Sequence, residues 1–475
     1  MRLHTHDYRA PSTDGIVDGA ILMHREMSRL LARRGSVTLH DLTAGPDCVA
    51  GLGEDDVVYA GSGPYAFLYH HWRARGGGRF RIVREAHTAL WSGYWAQEEL
   101  CAPLVRPGDL ALFPTEYTRR LFRANFPSVT AAGSAVAYPM LDRLPRRAPR
   151  PLPPAGAPLR IGYLGALSLA KNFDQVLSVF ARCHRASDGA VTLVCAGKPN
   201  DPRWETAAVH AALGRAGVPP EAVRMEGVRP QEELPAFFDG IDVLLFPSTA
   251  SRETLGRVVL EALAHGVPVL AADIGPAVEL LPARNLVPTA LDVEATFDMG
   301  RVGPLGRVDE DVLTRKLLTR DIAPASLRHE SPYTDAAFLR ALAGEPVQDP
   351  DGHDPILPGA VRVAPRTGAV PDAAAATALF RDFFERRDDA VGAALDALAA
   401  RTGHDDPALR RIVAAPERNL ADYRAFPRLL DALVLPPLTY TLAPAPAAVR
   451  SSTSPPSRDV RASPRWRTTA RPSSG

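Results

Sequence analysis

Residues 251–275 read SRETLGRVVLEALAHGVPVLAADIG, and inside this mostly apolar run two acids, Glu253 and Glu261, stand eight residues apart. Each acid alone has an ordinary explanation. Glu253 precedes a helical pattern, where a carboxylate favours the positive end of the dipole. Glu261 follows Arg257 by four residues, the spacing of an exposed helical ion pair worth about 0.2–0.5 kcal/mol. The pair together suggests chemistry. A helix through both would separate them by roughly 12 Å along its axis and roughly 80° around it. They could then address two ends of one elongated ligand. Between them Thr254, Leu255 and Gly256 would supply helix-start amides, and Gly256 would let an anion approach closely. Acid, anion site, acid is a layout suited to a sugar, a diphosphate and a ribose.

The elements that must position these groups alternate along the chain. RLHTHDY, VTLHDL, DDVVYA, RFRIVREAHT and LALFPT read as strands. AILMHREMSRLLARRG, GPYAFLYHHWRARGGG and EYTRRLFRANF read as helices between and after them. This is the pattern of a parallel sheet covered on both faces. The proline-rich run PMLDRLPRRAPRPLPPAGAP, residues 139–158, cannot lie inside a domain and reads as a semi-rigid linker. The alternation restarts with LRIGYLGAL, KNFDQVLSVFARCH and VTLVCAGK and runs through DVLLFPS and VPVLAAD. The expected organisation is a first α/β domain over 1–138, the linker 139–158, and a second α/β domain over 159–345. A helical extension over 346–436 and a disordered Ser/Pro/Arg-rich tail over 437–475 follow. A cleft between the two sheets would hold the ligand.

Composition narrows the partners. The net charge of +1 gives no global case for nucleic acid. Cys48, Cys101, Cys183 and Cys195 make no CxxC pair and no metal-ligand spacing, so reduced thiols and a cytoplasmic location are expected. MRLHTHDYRA is not a signal sequence, and no uninterrupted apolar run is long enough to span a bilayer.

The stretch ETLGRVVLEALAHGVPVLAADIGPAVELL resembles the signature of the family 4 glycosyltransferases of the GT-B fold, with its Glu-x7-Glu motif. IGYLGALSLAKNFDQVL is similar to that family's opening strand and phosphate loop, and VRMEGVRPQEELPAFFDGIDVLLFPS to its next two units. The motif-level resemblance covers residues 159–288; before residue 140 it is one of layout. It implies two Rossmann-like domains facing a cleft and a retaining, metal-independent transfer of a sugar from a nucleotide-activated donor to a hydroxylated acceptor. The nucleotide sugar is a co-substrate, and no cofactor or metal is implied. Position by position, Glu253 matches the acid on the donor sugar and Glu261 the acid on the ribose. Lys171 matches the base on the diphosphate, and His87 a first-domain histidine at the reacting centre. Gly165, Thr254, Leu255 and Gly256 fall on the donor side, and Gly15 or Gly19 on the first-strand glycine loop of the acceptor side. The family's usual Arg after Gly165 is Ala166 here, which removes one diphosphate contact; Arg229 could replace it, or activity could be lost. A GC-rich composition suggests secondary metabolism and a natural-product or other small-molecule acceptor.

Competing readings remain beside these. His87 could be a hydrogen-bonded core histidine. Trp91 and Tyr94 could stack on an acceptor ring or simply pack. The helix with Arg119, Arg120 and Arg123 could touch a membrane, although a solvated face is the favoured reading. GSGPYA at 61–66, with Glu85 ending the next strand, imitates a dinucleotide-binding turn. The whole-chain alternatives are a sugar-nucleotide epimerase, a catalytically inactive nucleotide-binding protein, and an NAD-dependent dehydrogenase.

Overall fold

The computed structural model describes residues 2–6, 19–34, 37–40, 42–61, 63, 65–325, 327, 332–345, 360–363, 382, 387–402, 405, 407, 410 and 439–444. Two six-stranded parallel sheets dominate it. The first comprises β1 (Arg2–His6), β2 (Val37–His40), β3 (Asp56–Ala60), β4 (Arg81–Glu85), β5 (Leu110–Phe113) and β6 (Ser134–Val136), in the order β2-β1-β3-β4-β5-β6. The second comprises β7 (Leu159–Leu164), β8 (Val191–Ala196), β9 (Val223–Met225), β10 (Val243–Phe246), β11 (Val269–Ala272) and β12 (Leu286–Val287), in the order β12-β11-β10-β7-β8-β9. The central strands VLLF and VLAA are buried at every residue, as strands covered on both faces must be. These are the two Rossmann-like domains expected from the alternation.

Helices cover the sheets. In the first domain these are α1 (Gly19–Arg34), α2 (Ala66–Gly76), α3 (Ser92–Cys101) and α4 (Glu116–Asn125). In the second, α5 (Phe173–Ala186) buries Phe173, Val176, Leu177 and Phe180 as one stripe against the sheet. There follow α6 (Thr206–Arg215), α7 (Leu234–Asp239), α8 (Arg257–Ala264), α9 (Ala277–Leu280) and α10 (Glu310–Thr319).

The expected boundaries change at three places. Helix α11 (Asp335–Ala343) lies within the span given to the second domain, yet it packs on the first. Its Ala337, Phe338, Ala341 and Leu342 join Leu3, Val57 and Tyr59 in one apolar cluster. An amphipathic helix docks where an apolar face is uncovered, whatever its place in sequence. Thr439–Leu442, placed in the disordered tail, is instead a strand. It pairs antiparallel with Thr296–Asp298 on one side and Val361–Val363 on the other. The alternation of Tyr440 and Leu442 inward carries it, with the Tyr440 ring stacked on Phe297 at 5.0 Å. The extension expected to be helical therefore holds a strand, Val361–Val363, beside its helix Asp388–Thr402. Most of the remainder of 346–436 and of the tail falls outside the described residues.

The linker is not a free hinge. Arg147 and Arg150 donate backbone N–H groups to Ala264 and Gly266 at the end of α8 (3.0 and 2.7 Å). Gly266 has φ 72°, and a Cβ there would meet the Ala148 carbonyl at 2.2 Å. In helix α4 Leu121 and Phe122 are core, as is Phe126 just after it, and Arg119 and Arg120 bond Glu116. No described helix is long and apolar enough to cross a membrane.

Across the domains, Glu279 of α9 accepts the Glu116 N–H at 3.0 Å, capping the start of α4. Burial, outweighing the two amide donors from Tyr117 and Glu116, pushes its carboxyl up to about 7. The folded value thus lies above the unfolded one, so this group favours the folded state at acid pH. That contribution is lost as pH rises from about 4.3 through 7. Glu279→Gln should remove this dependence. Urea midpoints at pH 5.5 and 8 should show the wild type losing on the order of 2–3 kcal/mol relative to the variant. Parallel pH profiles would show that Glu279 is not buried in the folded state.

Candidate functional site

In open parallel α/β sheets generally, ligands bind beyond the carboxyl ends of the strands, at the point where strand order reverses. In the second sheet that point lies between β7 and β10. A cavity of about 590 Å³ opens there. Its walls include Gly165 and Ala166 after β7, Gly197 and Lys198 after β8, Ser248 and Glu253 after β10, and His87 after β4 of the facing sheet.

The floor depends on glycine. Gly165 has φ 146°, and a Cβ on Gly197 would sit 1.8 Å from the Gly165 carbonyl oxygen. The two turns can cross only without side chains. Lys171 is set by its neighbour Asn172, which adopts the left-handed conformation (φ 52°) and starts α5. The buried Asn172 amide donates to the Pro247 carbonyl (3.0 Å), Thr249 Oγ1 (3.0 Å) and the Gly306 carbonyl (3.1 Å). It joins the turn carrying Lys171 to the loop carrying Glu253.

The first acid is not on the helix. Helix α8 begins at Arg257, and Gly256 precedes it in the left-handed region (φ 66°, ψ 53°). The axial separation expected for two acids on one helix therefore does not apply. Nor are Thr254 to Gly256 helix-start amides: the Gly256 N–H donates to Glu253 Oε1 at 3.1 Å. Glu253 Oε2 pairs with Lys171 Nζ and accepts from Ser248 Oγ at 3.3 Å. The Lys171 ammonium also lies 5.7 Å over the Phe246 ring.

The second acid is on the helix and is not an exposed partner of Arg257. Glu261 is buried, and its Oε1 accepts from Arg257 Nε (2.9 Å) and Gln231 Nε2 (3.1 Å). Burial holds its carboxyl above the usual range against the pull of Arg257. Arg257 reaches on to the first domain, with Nη1 and Nη2 on the two carboxylate oxygens of Glu26 (3.2 and 3.1 Å). Thr254 also spans the domains: its Oγ1 donates to the His87 carbonyl (2.7 Å), and its carbonyl accepts from Thr115 Oγ1 (2.6 Å). Leu255 is buried at the wall and packs with the first-domain cluster.

His87 faces the cavity, with Nε2 2.8 Å from the Gly61 carbonyl and Nδ1 3.1 Å from Glu85 Oε1. Trp91 and Tyr94 do not line this cavity. Their buried rings pack edge to face at 5.2 Å, with the Arg252 guanidinium over Trp91 at 5.7 Å. Gly19 opens α1, and Gly15 lies outside the described residues. Glu85 is enclosed by Tyr59 and His87 at 1% exposure, so no ribose can reach it as the dinucleotide-turn reading requires.

Sequence reasoning missed Lys198, Asn200, Arg252, Gln231 and the cavity role of Arg257, all on the walls. The available signal was topological: Lys198 and Asn200 stand just past the carboxyl end of a strand. Ala166 does line the cavity, and Lys198, Arg229, Arg252 and Arg257 add positive charge to the same walls.

Residues 158–297 match the family model described as glycosyl transferases group 1. A 2-deoxystreptamine glucosyltransferase of Streptomyces kanamyceticus is 32% identical over 124 residues, 26% of this chain and 30% of that protein. A GDP-mannose-dependent alpha-(1-6)-phosphatidylinositol monomannoside mannosyltransferase of Mycobacterium tuberculosis is 28% identical over 240 residues, 47% of this chain and 60% of that protein. The matches thus span less than two thirds of these relatives. A crystal structure of Anabaena HepE in complex with UDP-glucose gives a TM-score of 0.47 at 16% identity, covering 73% of this chain and 96% of that one.

The Asn172 junction is testable. Asn172→Ala should destabilise the protein by about 2–4 kcal/mol in denaturant unfolding, from lost buried hydrogen bonds and left-handed backbone strain. Asn172→Gly, free of that strain, should lose about 1 kcal/mol less. Equal losses would remove the strain from the account.

Proposed function

We propose that this chain is a glycosyltransferase that moves a sugar from a nucleoside-diphosphate donor to a hydroxyl acceptor, with retention of configuration. The observation that carries the reading is a coincidence of place. Glu253, Lys171 and Glu261 lie within the stretch similar to glycosyl transferases group 1, and all three converge on one cavity at the strand-order reversal. In this reading Glu261 takes the ribose hydroxyls, exchanging part of its bonding to Arg257 and Gln231. Lys171 turns from Glu253 to the departing diphosphate, whose developing charge it stabilises. Glu253, released from Lys171, accepts hydroxyls of the donor sugar. The start of α8 adds its positive end to the same charge.

His87 approaches from the opposite sheet and contacts the donor sugar or the reacting centre. The leaving phosphate takes the acceptor proton, so no side chain is assigned as general base. The bonds from Thr254 to both His87 and Thr115 hold the facing domains together around the cavity, which excludes water from the donor. The acceptor binds against the first domain, and its proposed class is a hydroxylated small molecule of secondary metabolism. A cytoplasmic setting and independence from divalent metal complete the proposal. In this reading Lys198 or Arg252 on the walls takes over the diphosphate contact that Ala166 does not make.

A transfer assay with a panel of nucleotide sugars tests this reading. Glu253→Gln should lower kcat/KM by roughly 10²-fold, because a charged hydrogen bond to the reacting sugar is worth about 1.5–3 kcal/mol. Chelation of divalent metal should leave turnover unchanged. Undiminished transfer by Glu253→Gln, or an absolute metal requirement, would overturn the assignment.

A further inference from the structure

The Glu85–His87 contact is chemically specific in a way that packing does not require. Glu85 ends β4 and is 1% exposed. The Tyr59 hydroxyl donates to its Oε2, while its Oε1 has no hydrogen-bond partner and lies 3.1 Å from His87 Nδ1. On the other side of the ring, Nε2 is 2.8 Å from the Gly61 carbonyl, which can only accept. Nε2 therefore carries a hydrogen. Four charge states remain for the pair, and one of them, the acid beside an imidazolium, sets two hydrogens against each other and adds a buried charge. A neutral carboxylic acid can donate from Oε1 to Nδ1, and a carboxylate can accept from an imidazolium. The state with neither site protonated sets Oε1 of a buried carboxylate against the lone pair of Nδ1, with no proton between them and no counter-charge, and is disfavoured.

We propose that Glu85 is a positioning residue for His87: Oε1 and Nδ1 hold one proton between them, so Nε2 keeps its hydrogen on the Gly61 carbonyl in both favoured states. Passing that proton from Oε1 to Nδ1 turns a neutral pair into carboxylate and imidazolium, with no other atom changed. The imidazole can thus become positive at the cavity wall without rotating. Burial raises the Glu85 carboxyl well above its usual range, against the Tyr59 hydrogen bond, which agrees with a proton retained near neutrality. Several titratable and charged groups stand near, among them Arg257 and Glu261 on the same cavity walls. Tyr59 lies on β3, and the ring of Tyr94 on α3 stands 6.2 Å from His87. Tyr138, after β6, interacts electrostatically with Glu85 and with Glu26 on α1. Lys171 and Glu253 share the cavity with His87. Under the glycosyltransferase reading, on which only this consequence rests, the switchable charge faces the departing diphosphate.

The test is ¹⁵N NMR of the full chain labelled at histidine, with His87 assigned by its loss in His87→Asn. The wild type should show Nε2 protonated across pH 5–9 and Nδ1 titrating. Once the shared proton has passed to Nδ1 the ring faces a carboxylate, and Glu85→Gln removes it, so the Nδ1 midpoint should fall by at least about 1 pH unit. Equal midpoints in the two proteins, or an unprotonated Nε2 at neutral pH, overturn the proposal. Should Glu85→Gln fail to fold, Tyr59→Phe removes the donor to Oε2 and should move the midpoint upward; an unmoved midpoint there is equally decisive. None of these readings needs turnover, so they stand apart from any failure of the assigned activity. The pH profile of kcat/KM should move with the same midpoint, a response that loss of packing alone would not produce.

Discussion

Everything around the cavity depends on one short loop, residues 248–256, whose polar groups are satisfied from both domains. Its Thr254 hydroxyl and carbonyl bind the first domain, at His87 and Thr115. The Leu90 N–H of the first domain donates to the Ser251 carbonyl at 3.1 Å. On the other side Ser251 N–H donates to the Gly303 carbonyl (2.8 Å) and Leu305 N–H to the Thr249 carbonyl (2.7 Å). Buried backbone groups without partners are costly, so the loop is most stable with both flanks in place. Glu253 is carried on that loop. Its position is consequently set by this loop and by its bonds to Lys171, Ser248 and Gly256 rather than by a helix.

Electrostatics follows from the same convergence of walls. The walls bring several cations to two acids, and each acid has a basic partner within its own domain. Arg257 is shared between Glu261 and Glu26, so the acid assigned to the ribose is tied to a carboxylate of the first domain. Breaking one member of such a buried set leaves the others uncompensated. A ligand bringing a diphosphate and hydroxyls can replace these contacts in kind, with anion for Glu253 at Lys171 and hydroxyl donors at both carboxylates.

Much of this was legible in the sequence because it is local. The apolar runs of β7, β8, β10 and β11, the helix stripe of α5 and the turn at Gly165 follow from period and residue type. The start of α8 was misplaced because a glycine in the left-handed region reads, in a one-dimensional pattern, like a helix residue. The burial of Glu261 was hidden because Arg257 and Glu261 alone look like a surface pair; their third partner, Glu26, is remote in sequence. Helix α11 and the strand at Thr439–Leu442 were misassigned for the same reason. Each is defined by surfaces supplied by distant segments. Trp91 and Tyr94 carried no sign of whether their rings faced a ligand or each other.

The central claim is that this cavity binds a nucleoside diphosphate through Lys171 and Glu261. Isothermal titration of UDP, GDP, dTDP and ADP, with NAD and NADP alongside, tests it most directly. At least one nucleoside diphosphate should bind the wild type, with neither dinucleotide doing so. Its affinity should fall by roughly tenfold or more in Glu261→Ala, a loss of about 1.4 kcal/mol. Binding of NAD alone, or nucleoside-diphosphate binding that Glu261→Ala leaves untouched, would contradict the account.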